Sequence, residues 1–198
     1  MHAIRLSALV LALAAGLTTP GPAGGAGGRY VFDGGSAYER AQVRRALSVS
    51  AFPWSVVDAT VTIHVVRGLP SSSASPGEIW LDADLLDAGE FAWGVVQHEY
   101  AHQVDFLVLD QSQRLQLYAE LGGGSWCDYS LGLPHGDYGC ERFASTLAWA
   151  YWPAAANSMR PASGTDESSA VEPAAFRALV ATVLDRHDLR AAARPSPR

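Results

Sequence analysis

The chain has 198 residues, 48% of them hydrophobic, which is enough for one domain with a substantial core. Its 14 basic residues, all arginine and nowhere clustered, face 20 acidic ones for a net charge of −6. That balance argues against nucleic acid and against an anionic membrane surface as partners.

Residues 1–26 read as an export signal: His2 and Arg5, an apolar Leu6 to Leu17 run, then small residues around Ala23 and Ala26. The apolar run is too short to span a bilayer, so the mature chain is expected to be secreted, with no stable membrane insertion. Residues 27–190 are assigned to a single domain and 191–198 to a disordered tail. A glycine-rich approach, 27–35, carries a short apolar Tyr30-Val31-Phe32. Residues 36–48 are patterned as a helix, opened by the capping-box pair Ser36 and Glu39. Thr60 to Val66 alternates and is rich in β-branched residues, which predicts a strand. His64 within it has no spacing partner and reads as structural. Residues 68–77 are a loop by composition, and Glu78 to Leu81 a short strand.

A second capping-box pattern, Asp87 and Glu90, opens a helix that is apolar on nearly all sides and continues to Leu109. Asp110 and Gln113 recap a helix running to Leu121, where three glycines end it. Residues 126–139 form a cysteine-bounded loop, and 140–152 another helix stopped by Pro153. The polar stretch 154–172 reads as a surface loop or partly disordered. Val171 to Asp188 closes the domain as an amphipathic helix with Phe176, Leu179, Val180, Val183 and Leu184 in its stripe. This order of elements implies an α+β fold rather than a regular βαβ repeat.

The chemistry is concentrated in His98-Glu99-Tyr100-Ala101-His102. Residues four apart on a helix share a face, so both imidazoles can hold one metal ion. Glu99 lies about 100° further round, beside the metal, where it can take a proton from a bound water. Two histidines facing a core without a metal would instead need other buried partners. A catalytic zinc site requires a third protein ligand and an open position.

Four residues compete for that third place. Asp105 shares the ligand face but lies seven residues from His98, about 10 Å along the axis, so it better suits accepting a hydrogen bond from a ligand imidazole. Glu120 ends a helix before three glycines. His135 is a non-carboxylate rival. Glu141 opens the helix anchored at Cys140 and is the favoured ligand, against the plain reading of an acid stabilised by the helix dipole. In an exported chain Cys127 and Cys140 read as a disulfide closing a 14-residue loop, worth about 3 kcal/mol, with a pair of zinc thiolates as the competing reading.

His98-Glu99-x-x-His102 followed by Glu141-x-x-Phe143-Ala144 resembles the gluzincin zinc metallopeptidases, in which a glutamate from a second helix completes the site. More narrowly, HEYAHQVDF with CERFAS resembles small secreted bacterial proteins of peptidase type. The resemblance covers about a quarter of the chain. It implies a zincin-like fold, with a small twisted sheet, the motif helix beneath it and a helical C-terminal half. It further implies Zn²⁺ on His98, His102 and Glu141, Glu99 as general base, and a peptide or protein substrate. Ile79, Trp80 and Leu81 would then form the edge strand that binds extended peptide. The chain departs from the family at Ser145, where well-known members carry an acid, so the surroundings of the ligands must differ there. Tyr129, His135, Tyr138 and Tyr151 are the candidates for stabilising an oxyanion. A secreted zinc-binding module without catalysis is the rival reading.

Overall fold

A computed structural model describes residues 28–192, with side chains to Asp185. The expected export signal lies outside the described residues, as does most of the expected tail.

Four strands form one mixed sheet: β1 (Tyr30–Gly34), β2 (Val61–Val66), β3 (Ser73–Ser75) and β4 (Glu78–Asp82). Their order is β1-β2-β4-β3, with β1, β2 and β4 parallel and β3 antiparallel to β4. Among the described residues there are six helices: α1 (Ala37–Val49), α2 (Ala83–Leu86), α3 (Glu90–Leu107), α4 (Gln111–Leu121), α5 (Gly139–Tyr151) and α6 (Pro173–Ala192). The fold is therefore α+β, as the element order implies, and α6 runs two residues beyond the boundary set at 190.

Alternation along β2 sends Val61, Ile63 and Val65 into the core, while Thr62, His64 and Val66 face outward. Ile63 and Val65 pair in register with Ile79 and Leu81 of β4, and all four are buried in one core with Val96, Tyr100 and Val104 of α3. On the outer face His64 is held by Asp33, Nδ1 to Oδ2 2.9 Å, and stacks on Trp80.

Helix α3 is the centre of the molecule, with 13 of its 18 residues buried. Its two buried amides, Gln97 and Gln103, both donate to backbone carbonyls of neighbouring elements. Gln97 Nε2 donates to the Ala46 carbonyl of α1 (2.8 Å). Gln103 Nε2 donates to the carbonyls of Ser75 (2.9 Å) and Glu78 (3.1 Å), and its Oε1 accepts from Gly77 N (2.8 Å). Gln103 thereby fastens the β3–β4 turn to the motif helix. On the opposite side α5 packs along α3, and α6 backs α5 through Phe143 and Phe176.

Two capping boxes form where expected, Ser36 with Glu39 and Asp110 with Gln113. The third does not. Asp87 ends α2 in helical backbone (φ −65°, ψ −17°), whereas an N-cap needs an extended residue. Its carboxylate accepts from Arg67 instead (3.1 Å), and α3 begins after Gly89 at φ +66°. The glycine-rich approach contains β1, and the loop 68–77 contains β3. Ser75-Pro76-Gly77-Glu78 closes the β3–β4 hairpin, with Gly77 at φ +82° as the third residue of a type II turn requires.

The stretch 154–172 is ordered, with Asn157 and Ser168 buried. Asn157 Nδ2 donates to the carbonyls of Ala148 (3.0 Å) and Trp152 (2.7 Å), closing the end of α5. This segment passes so near α3 that a Cβ on Gly94 would stand 2.2 Å from Asn157 Oδ1. Gly94→Ala is expected to lower stability by about 1–3 kcal/mol despite alanine's better helix propensity, because the segment must give way. Thermal melting checks this. An unchanged midpoint would mean that the segment yields freely.

Candidate metal centre

Helix α3 supplies His98, Glu99 and His102, all nearly fully buried, and the first turn of α5 supplies Glu141. The start of α5 is fixed by backbone bonds from Gly139 N to Ser125 O (2.8 Å) and from Cys140 N to Trp126 O (2.9 Å), which satisfy N–H groups left free at a helix start. Cys127 and Cys140 are joined, Cα atoms 5.7 Å apart, and tie the preceding loop to the same turn. Glu141 is thus held against α3 from outside, as the sequence reading favoured.

Three imidazoles meet one carboxylate oxygen. Glu141 Oε2 lies 3.1 Å from His98 Nε2, 3.2 Å from His102 Nε2 and 3.2 Å from His135 Nε2. His98 Nε2 and His102 Nε2 are themselves 3.2 Å apart. Ligands of a tetrahedral zinc at about 2.0–2.1 Å stand about 3.3 Å from one another, which these separations match. Glu141 Oε2 is buried yet accepts no hydrogen bond of sound geometry, while Oε1 accepts one from Tyr129. Burial would raise the Glu141 carboxyl, but the imidazoles beside it prevail and hold it well below the usual carboxylate range.

The hydrogen-bond pattern assigns the tautomers. Ser145 Oγ has one proton, which it gives to Glu167 Oε2 (2.8 Å), so at 3.0 Å it accepts from His98 Nδ1. Glu167 Oε1 likewise accepts from His135 Nδ1 at 2.7 Å. Both Nε2 atoms are then left with lone pairs facing a carboxylate oxygen. Imidazole nitrogens gathered with a carboxylate oxygen on one buried point suit a cation. Two or three imidazoles with one carboxylate form a donor set of the zinc type.

Glu99 stands beside this point, and burial pushes its carboxyl up. Glu99 and the donors line a cleft of about 310 Å³ with Phe106, Tyr129 and the Ser71–Ala74 segment. Tyr129 stays a protonated phenol, since burial and then the Glu141 carboxylate raise its pKa.

Several expected placements are corrected. Asp105 does not touch a ligand imidazole. Its carboxylate accepts from Arg114 Nε (2.7 Å) and Trp126 Nε1 (3.1 Å), because α4 folds back and brings the arginine to it. His102 Nδ1 is left buried without a partner. Ile79, Trp80 and Leu81 are not an edge strand, since β4 is paired on both sides and Ile79 and Leu81 lie in the core. The edge beside the cleft is β3. Glu120 is exposed and away from the donors. Tyr138 accepts from Leu133 N, and Tyr151 packs on Phe52, so of the four oxyanion candidates only Tyr129 and His135 line the cleft. Glu167, in the stretch read as surface loop, was not foreseen. Through Ser145 it reaches His98 from a short 3-10 turn, Glu167–Ser169, and no periodicity or spacing marks it. Ser145→Ala is expected to weaken zinc binding about 10- to 100-fold by freeing His98, measured by chelator competition; unchanged affinity would make the Ser145 contact incidental.

Compared with known proteins, the chain matches no family model, no curated protein and no solved structure. The reading of this centre therefore rests on its own chemistry.

Proposed function

We propose that the chain is an exported zinc-dependent peptidase of gluzincin type on a zincin-like scaffold. The observation that carries this reading is the convergence of His98 Nε2, His102 Nε2 and Glu141 Oε2 on one buried point, with the Glu99 carboxylate beside it. Bound zinc would polarise the scissile carbonyl and lower the pKa of its water to about 7. Glu99 takes a proton from the attacking water and returns it to the leaving amine nitrogen. Burial raises its pKa, which makes it a stronger proton acceptor than an exposed carboxylate. Glu141 keeps its orientation through Tyr129, and His98 through Ser145 and Glu167. The free edge of β3, at Ser73 and Ala74, offers backbone groups on which an extended peptide can add as a further strand. No helix among the described residues is long and apolar enough to cross a membrane.

A zinc module without catalysis is the second reading, and the nearness of His135 to Glu141 Oε2 favours it, since four protein donors close a site. The test is removal and return of the metal. Chelation should abolish hydrolysis of an unstructured protein substrate, and one equivalent of zinc should restore it. Hydrolysis that survives complete metal removal would sink the proposal. Stoichiometric zinc with no cleavage of any member of a random peptide library would select the second reading.

A further inference from the structure

We propose that His135 is a detachable fourth donor of this centre, closing it in the resting chain and giving way when a peptide enters the cleft. The proposal rests on the metallopeptidase reading and adds to it a self-capped resting state.

Three observations carry it. His135 Nε2 approaches Glu141 Oε2 to 3.2 Å, and the ligand atoms of His98, His135 and Glu141 lie within 4.8 Å of one another, near enough to share one ion. Its Nδ1 is bound by Glu167 at 2.7 Å, which leaves Nε2 as the lone-pair nitrogen and aims it inward. Its setting is nonetheless unlike that of the other donors. The side chains of His98, His102 and Glu141 are 4–7% exposed and stand on two packed helices, whereas that of His135 is 62% exposed on a 3-10 turn, His135–Asp137.

The consequence follows from coordination. Four protein donors fill a tetrahedral zinc and leave no position for water or carbonyl oxygen. Hydrolysis then requires one donor to leave, and the exposed imidazole on the turn can do so with the least disruption of packing. Its retained bond to Glu167 would keep it close enough to return once product leaves. Cys127 and Cys140 bound this loop and limit how far the turn can travel.

X-ray absorption of the zinc-loaded wild-type chain counts the imidazoles on the metal without any variant. Three imidazoles at rest, falling to two on saturation with acetohydroxamate, is the expected result. Zinc affinity of His135→Ala, from chelator competition, should be about 10- to 100-fold weaker than wild type. Two imidazoles at rest with wild-type affinity in His135→Ala would overturn the cap and leave the peptidase reading standing. Three imidazoles in both states would overturn the detachable role and make the centre a closed one. Failure of the wild-type chain to bind zinc would remove this proposal and the peptidase reading together.

Discussion

Glu99→Gln should retain one zinc per chain while kcat for peptide hydrolysis falls about 10²- to 10⁴-fold, the usual contribution of a positioned general base, or about 3–5 kcal/mol of barrier. Zinc should stay because the three converging donors come from His98, His102 and Glu141, none of which the substitution touches. Hydrolysis should go because an amide cannot take a proton from water. Stability supplies an independent readout. Burial pushes the Glu99 carboxyl up, so carrying a charge there opposes folding, and glutamine removes that charge at nearly constant volume. The metal-free variant should therefore melt at or above the wild-type midpoint. Loss of zinc on substitution would make Glu99 a ligand instead, a role its closeness to His98 and His102 allows. Wild-type turnover would remove it from the chemistry.

What was legible in the sequence divides by the range of the interaction that decides it. The motif helix was legible because its pattern is local: apolar residues on all sides, and a histidine pair whose spacing holds for any helix. The capping boxes at Ser36 and Asp110 were legible for the same reason, since both bonds lie within four residues. Asp87 carries the same local pattern and fails, because Arg67 on a distant segment takes its carboxylate. Asp105 was correctly set on the ligand side of α3, but its partner Arg114 depends on how α4 turns back. Strand β3 has no signal of its own in Ser73-Ala74-Ser75. It exists through pairing with β4 and through Gln103, which directly follows His102 on the motif helix. Glu167 was hidden most completely. The missing acid at position 145 pointed to a different environment, and a serine there passes the contact on to a carboxylate 22 residues further along.

Glu141→Ala should lower zinc affinity about 10²- to 10⁴-fold, an effect of about 3–5 kcal/mol, while Glu120→Ala leaves it unchanged. The asymmetry has a plain cause. Glu120 is exposed at the end of α4, whereas Glu141 is the one carboxylate among the three converging donors, held as a carboxylate by the imidazoles it faces. Removing it leaves neutral nitrogens to bind a divalent cation in a buried site, without the charge that offsets the ion's desolvation. Alanine also strips Tyr129 of its acceptor and opens a void, so lost zinc could be blamed on a disturbed loop. Glu141→Gln separates the two effects. The amide oxygen can still accept from Tyr129, so the metal-free midpoint should stay near wild type, yet the charge is gone and affinity should still fall at least about tenfold. Undiminished zinc binding in Glu141→Gln would mean that three histidines suffice. His135 would then be a permanent ligand in place of Glu141, and the likeness to the gluzincins would end at the motif helix.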